Sequence, residues 1–157
     1  MQRVRLLAAF VALVGVLVAL PATAAASSTY TLTGVEVSPS PATFVGSLVG
    51  QLGVWDAVVL HDPLNYSTGS TTAINGGSFT ITTFVPPGQA TGSIDGGTIV
   101  AGPVSSSNGF TCTQTFALGG TLNHGTGSYA GVLTHYGYLS GGRCNALAAS
   151  FAGRATI

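Results

Sequence analysis

Proton-transfer chemistry in this chain depends on few side chains, because its 157 residues include only four acidic residues and three histidines. Catalysis of this kind needs an acid or base that is held in position and has a pKa suited to the task. No two of these residues have a spacing typical of a catalytic pair, so the sequence assigns no catalytic residue. Asp56, Glu36 and His135 remain candidates, because a barrel can bring distant strands onto one inner wall.

The motifs that mark common catalytic and metal sites are absent from the sequence. There is no G-x-S-x-G segment to carry a nucleophilic serine, no H-E-x-x-H zinc motif and no glycine-rich phosphate loop. His61, His124 and His135 share no spacing typical of metal ligands. The sequence therefore predicts no metal site and no cofactor, and it argues against a hydrolase.

Asp56 lies in the segment 52–60, LGVWDAVVL, which is apolar on both faces of a strand. Its neighbours on the same face are Val54 and Val58, so we expect a carboxylate in apolar surroundings. Such a group must find hydrogen-bond donors or raise its pKa. Asp56 is then either a structural acid bonded to the backbone or to Arg154, or a functional acid.

Three aromatic side chains are candidates for contact with a ligand: Trp55, Tyr129 and His135. In the segment 124–142, HGTGSYAGVLTHYGYLSGG, residues 124–127 are predicted to form a turn and the following residues a strand. The period of two in a strand places His135 on the same face as Tyr129. His135 is then either an ordinary core histidine with its hydrogen bonds satisfied or a residue that contacts a ligand.

The elements that must position these residues are short runs rich in Thr, Val, Ile, Phe and Tyr, separated by Gly, Pro, Asn and Ser. This pattern is typical of strands joined by tight turns, and no segment after residue 26 has a helical period. The segment 110–118 alternates most clearly, with its even-numbered residues forming a largely apolar face. Strands are predicted at 29–37, 52–60, 71–75, 78–85, 90–102, 110–123, 128–139 and 145–157.

Seven or eight short antiparallel strands in one domain form either a β-sandwich or a closed barrel. We predict an all-β, up-and-down barrel, because closure removes edge strands that the few charges of this chain would leave unprotected. Four glycine pairs, at 76–77, 96–97, 119–120 and 141–142, recur along the chain. Each pair is either a hairpin turn or a bulge that lets a long strand bend.

Residues 1–26 have the features of a signal peptide. MQRVR supplies two arginines, an apolar run of 15 residues follows at 6–20, and PATAAA supplies small residues. The run is shorter than the roughly 20 residues that span a bilayer as a helix. We therefore expect cleavage near Ala26, leaving residues 27–157 as a single secreted domain.

The charge of this domain limits its partners. It has two arginines against four acids, a net charge of −2, and no lysine. Binding to nucleic acid or to an anionic membrane needs several basic side chains. The sequence therefore predicts neither of these partners.

The cysteine content of the chain is consistent with a secreted protein. Cys112 and Cys144 are the only cysteines, and an even number in a secreted chain predicts a disulfide. Such a bridge closes a loop of roughly 33 residues and stabilises the fold by roughly 3 to 4 kcal/mol on the chain-entropy model.

The end of the chain carries a further pattern. GTGSYAG at 125–131 is followed by a strand, a glycine-rich turn and a closing strand that ends in FAGRATI. Over about 40 residues this resembles the allene oxide cyclase and dirigent group of β-barrels, including their bacterial relatives, although His124 stands where that group usually has glycine.

This resemblance implies an eight-stranded calycin-like barrel that is often oligomeric, has an apolar cavity and uses no cofactor. Plant members cyclise an unsaturated epoxide or guide the coupling of phenoxy radicals. Their functional acids lie outside the matched segment, so no residue role is transferred to this chain.

Three functions follow from these observations. The first is a secreted barrel that binds a small apolar, aromatic or phenolic ligand, and the second is an extracellular surface or interaction module. The third is a cofactor-independent isomerase or cyclase, or a dirigent-like guide of radical coupling. The lack of a paired acid and base favours binding or a surface role over catalysis. A homo-oligomer is the macromolecular partner that the resemblance implies.

Overall fold

The protein is a closed β-barrel. The computed structural model describes residues 27–157, so the predicted signal peptide lies outside the described residues. Eight antiparallel strands pair in sequence order, and β1 pairs with β8 to close the sheet. The prediction of an up-and-down barrel is confirmed, and the alternative of a β-sandwich was wrong. The strands are β1 (Thr29–Pro39), β2 (Ala42–Leu48), β3 (Gly53–His61), β4 (Thr71–Phe84), β5 (Pro87–Ser105), β6 (Thr111–Leu122), β7 (Gly127–Ser140) and β8 (Arg143–Thr156).

The strand β2 has no counterpart in the sequence-based prediction. Pro39 and Pro41 precede it and Gly46 lies within it, and both residue types normally weaken or end strands. In the structure Gly46 lies under the indole of Trp55, where a Cβ atom would overlap the ring and the Thr33 carbonyl. The indole Nε1 donates a hydrogen bond to that carbonyl at 3.0 Å. Glycine is therefore needed inside this strand because a side chain from the next strand lies over its backbone.

The glycine pairs have two different roles. The pair at 76–77 lies within β4, which joins the predicted strands 71–75 and 78–85, and a register shift occurs opposite it between Leu60 and His61. Both glycines have φ of 144°, which fits an irregularity in a strand and not a hairpin turn. The pair at 141–142, with φ of 57° and 76°, makes the turn between β7 and β8.

The barrel has two unlike ends. Four hairpin connections, β1–β2, β3–β4, β5–β6 and β7–β8, lie at one end, which we call the cleft end. The other three connections and residues 28 and 157 lie at the opposite end, which we call the far end. No helix in residues 27–157 is long and apolar enough to cross a membrane.

The interior is apolar toward the far end and polar toward the cleft end. Side chains alternate between the interior and the outside along each strand. Toward the far end the inward side chains include Leu32, Trp55, Ile81, Leu122 and Phe151, and they enclose a cavity of only about 60 Å³. Toward the cleft end four polar residues lie among the apolar ones: Glu36, Thr72, Gln114 and His135.

The predicted disulfide is present. Cys112 on β6 and Cys144 on β8 are bonded across the inner side of β7, and both residues are buried. The bridge therefore connects two strands that each pair with β7 but not with each other, close to the cleft end.

Removing this bridge tests its contribution to stability. We expect the double variant Cys112→Ala/Cys144→Ala to keep the barrel but to lose roughly 3 to 4 kcal/mol of unfolding free energy, because the unfolded chain regains a long open loop. Urea unfolding of both proteins measures this difference. An unchanged free energy of unfolding would contradict the chain-entropy account.

The turn between β6 and β7 is fixed by side chains of β5. Asn123 and His124 have φ of 52° and 58°, a backbone conformation that few residues other than glycine adopt. Asp95 accepts hydrogen bonds from the Ser93 hydroxyl at 2.8 Å and from the Gly125 N–H at 2.9 Å. The backbone N–H of His124, with these two donors, lowers the pKa of the Asp95 carboxyl below its usual value. The structure thus places His124 in a turn that the ionised form of Asp95 stabilises.

The pH dependence of stability tests this turn. A carboxyl whose pKa is lowered by folding stabilises the native state above its unfolded pKa of about 3.9 and loses that contribution as the pH falls through the folded pKa. We expect Asp95→Asn to have a lower free energy of unfolding than the natural protein at about pH 5.5. This difference in free energy should become smaller near pH 2.5, where the carboxyl of the natural protein becomes protonated. Urea unfolding at both pH values measures it. A gap of equal size at both would show that ionisation of Asp95 plays no part.

Candidate functional site

An open cleft of about 890 Å³ lies at the cleft end of the barrel. Its walls come from the end of β1, the β3–β4 connection and the first half of β8. Polar and apolar groups both line it, and Glu36, Tyr66 and His135 are among them. This cleft, and not the small cavity toward the far end, is large enough for an organic ligand.

Glu36 and His135 meet at the floor of the cleft. In the barrel register His135 on β7 is the partner of Ala149 on β8, and Val35 on β1 is the partner of Ser150. Glu36, the next residue of β1, therefore lies beside Ala149 on the other side of β8. Because the alanine side chain is short, Glu36 Oε2 lies 3.7 Å from His135 Nε2 across β8. The two side chains are 14% and 6% exposed. Two of the three acid–base candidates therefore lie side by side, more than 90 residues apart in sequence.

Polar atoms next to this pair lack partners within the protein. Neither ring nitrogen of His135 has a hydrogen bond, although both are buried. Gln114, the register partner of His135 on β6, is 1% exposed, and its Oε1 is also without a partner. Leaving a buried polar atom unpaired costs about 1 to 3 kcal/mol, so such atoms are uncommon in folded proteins. Their concentration beneath a cleft is typical of a site that completes its hydrogen bonds with a ligand.

The amide of Gln114 connects the floor to the β3–β4 connection. Its Nε2 donates to the carbonyl of Tyr66 at 2.8 Å and to that of Gly102 at 3.0 Å. Both amide hydrogens are therefore used, which fixes the orientation of the group and leaves Oε1 as the unpaired acceptor. Thr72 also holds this connection, because its hydroxyl accepts a hydrogen bond from the Asn65 N–H at 3.2 Å.

Aromatic rings surround the imidazole of His135. The ring of Phe116 lies 4.8 Å from it and that of Tyr66 lies 6.3 Å from it, measured between centroids. Burial, together with the nearby Glu36 carboxylate, raises the pKa of Tyr66 above its ordinary value. The Tyr66 hydroxyl therefore stays protonated at neutral pH and can donate as well as accept a hydrogen bond.

The expectation that Asp56 is buried was wrong. Both faces of β3 are apolar, and the structure turns Trp55 and Ala57 inward, so Asp56 lies exposed on the outside between Val54 and Val58. The carboxylate makes no salt bridge with Arg154, which is also exposed. Asp56 therefore lies on the outside of the barrel, whereas Glu36 and His135 point into it.

Trp55 and Tyr129 lie in the apolar half of the barrel, away from the cleft. The Trp55 ring packs edge-on against Phe151 at 5.5 Å. The hydroxyl of Tyr129 donates to the carbonyl of Gly96 at 3.3 Å, and burial raises the pKa of Tyr129 to about 12. Both residues line the small cavity of about 60 Å³, so of the three predicted ligand contacts only His135 reaches the cleft.

Sequence reasoning missed two residues of the site. Gln114 was visible as the one polar residue on the otherwise apolar face of 110–118, and a buried amide on such a face is itself a signal. Tyr66 lies in a connection that has no periodic pattern, so nothing in the sequence placed it over the floor.

Within residues 27–157 no three His, Cys, Asp or Glu side chains come together as a possible metal site. Comparisons with protein-family models, with curated proteins and with solved structures found no match to this chain.

Proposed function

We propose that this protein is a secreted barrel that binds a small molecule with an apolar or aromatic body in the cleft at its cleft end. The observation that carries the proposal is the buried His135, without a hydrogen-bond partner, beside Glu36 at the cleft floor. Ligand sites combine apolar and aromatic walls with a few convergent polar groups. Tyr66 supplies the aromatic contact here, and Glu36 and His135 supply the polar ones, while the fully buried Phe116 packs against the rings of Tyr66 and His135.

The size of the two spaces supports this location. An apolar cavity of about 150 Å³ holds a molecule as small as benzene. The space beside Trp55 and Tyr129, about 60 Å³, is smaller than that, whereas the cleft measures about 890 Å³. The apolar half of the barrel then acts as the rigid support of the site.

Export is part of the same proposal. The Cys112–Cys144 disulfide is compatible with an oxidising compartment. A signal peptide at 1–26, cleaved near Ala26, accounts for that compartment. The eight-stranded barrel is the architecture that a relationship with the allene oxide cyclase and dirigent group implies, which makes membership in that group a reasonable part of the proposal.

A cofactor-independent isomerase is the second candidate. The distance of 3.7 Å between Glu36 Oε2 and His135 Nε2 favours it, because one group can remove a proton from a bound molecule while the other returns a proton elsewhere. The molecule then keeps its atoms and changes only their connectivity. A surface or interaction module has less support, since it leaves the unpaired polar atoms of the floor unexplained.

Binding of aromatic compounds tests the proposal. We expect the purified mature protein to bind members of a panel of apolar and phenolic aromatic compounds, with 2-naphthol as the reference, and His135→Ala to bind about tenfold more weakly because a polar and an aromatic contact are lost. Titration calorimetry measures both. Asp56→Asn is the matched control, since its side chain points outward and its affinity should not change. Failure of the whole panel to bind, or equal binding by His135→Ala, would falsify the proposal.

The fate of the bound compound separates the two candidate functions. We expect compounds recovered after long incubation with the protein to be chemically unchanged, as a binding role requires. Mass spectrometry with chromatography detects isomers of equal mass. An isomer that forms with the natural protein but not with Glu36→Gln would make the isomerase the better assignment.

A further inference from the structure

The hydrogen-bond donors and acceptors at the cleft floor limit which chemical groups a ligand can place there. An ionised Glu36 carboxylate only accepts hydrogen bonds, while a neutral His135 ring has one donor and one acceptor nitrogen. The separation of 3.7 Å between Oε2 and Nε2 is too long for a direct hydrogen bond. It is short enough for a single oxygen atom to lie within about 2.8 Å of both atoms.

Two polar groups at the rim of the cleft, His61 and Asp62, already have partners within the protein. Asp62 Oδ1 accepts a hydrogen bond from Asn75 Nδ2 at 2.8 Å, and His61 Nδ1 lies 2.6 Å from the carbonyl of Asp62. These residues stabilise the start of the β3–β4 connection. Arg143 lines the cleft at the exposed turn between β7 and β8, whereas Glu36 and His135 are the polar groups that line its floor and can meet a ligand head group there.

We propose, on the basis of the function proposed above, that the cleft selects ligands that present a hydroxyl group to Glu36 and His135. A hydroxyl donates to the carboxylate and at the same time accepts from the histidine N–H, so one group satisfies both. A hydrogen bond to a charged acceptor is stronger than one between neutral groups.

Ligands that only accept hydrogen bonds fit the floor poorly. An ether or ketone oxygen bonds to the His135 N–H but places its lone pairs against the Glu36 carboxylate. A ligand carboxylate adds repulsion between like charges in a partly buried site. Selection thus depends on Glu36 rejecting acceptors as well as on its attracting donors.

In this proposal the ligand reaches the floor past the ring of Tyr66, which lines the cleft. Both His135 nitrogens are covered, and the Tyr66 ring lies 6.3 Å away on a connection between strands. Tyr66 is 38% exposed, so its side chain has room to turn outward. The ligand hydroxyl then takes the place of the ring edge beside Glu36.

Three matched compounds test the selection: 2-naphthol, its methyl ether 2-methoxynaphthalene, and 2-naphthoate. They share one ring system and differ in hydrogen-bond donor and charge. We expect 2-naphthol to bind about tenfold or more tightly than the methyl ether, and 2-naphthoate to bind most weakly. Glu36→Leu, which removes the acceptor and the charge, should reduce the preference for 2-naphthol to about twofold and improve binding of 2-naphthoate.

Control measurements distinguish the loss of a contact at the floor from a loss of folding. Thermal unfolding and circular dichroism establish that Glu36→Leu keeps the barrel, and Asp56→Asn, an acid removed from the outside of β3, should leave all three affinities unchanged. If Glu36→Leu fails to fold, Glu36→Gln replaces it and should narrow the same preference. Equal affinity of the natural protein for 2-naphthol and the methyl ether would overturn the selection by hydroxyl while leaving the proposed binding function intact. If no aromatic compound binds, both proposals fail.

Discussion

Antiparallel pairing in a closed barrel is the constraint on which the rest of this structure depends. Closure fixes the pairing register of every strand with both of its neighbouring strands. The alternation of side chains along each strand then decides which residues point into the interior. This places Gln114, His135, Ala149 and Glu36 in one row along β6, β7, β8 and β1. A shift of one residue in β7 would exchange His135 for the exposed Tyr136 and remove the polar floor.

The division of the interior into two halves explains why unpaired polar atoms are tolerated at one end. Toward the far end aromatic and aliphatic side chains fill most of the interior, and they belong to an apolar core cluster that continues toward the cleft end. The disulfide and the two hydrogen bonds of the Gln114 amide then hold the strands and the β3–β4 connection at the cleft end. The unpaired polar atoms therefore lie within a framework that a disulfide and hydrogen bonds hold in place.

Much of the architecture was predictable because it follows from local chemistry. Strict alternation in 110–118 and an even cysteine count led to β6 and to the disulfide, and both are confirmed. Asp56 was misplaced because both faces of β3 are apolar, so alternation gave no sign of which face turns inward. The pairing of Glu36 with His135 depends on closure between β1 and β8, which no short segment of the sequence encodes.

The floor formed by Glu36 and His135 is the proposed binding place of the ligand. Nuclear magnetic resonance of the isotope-labelled protein during titration with 2-naphthol tests this residue by residue. The account predicts that the signals of Tyr66, His135 and Ala149 shift together and in proportion to occupancy, while those of Trp55 and Tyr129 stay in place. Shifts concentrated at Trp55 and Tyr129, or on the outer face around Asp56, would contradict it.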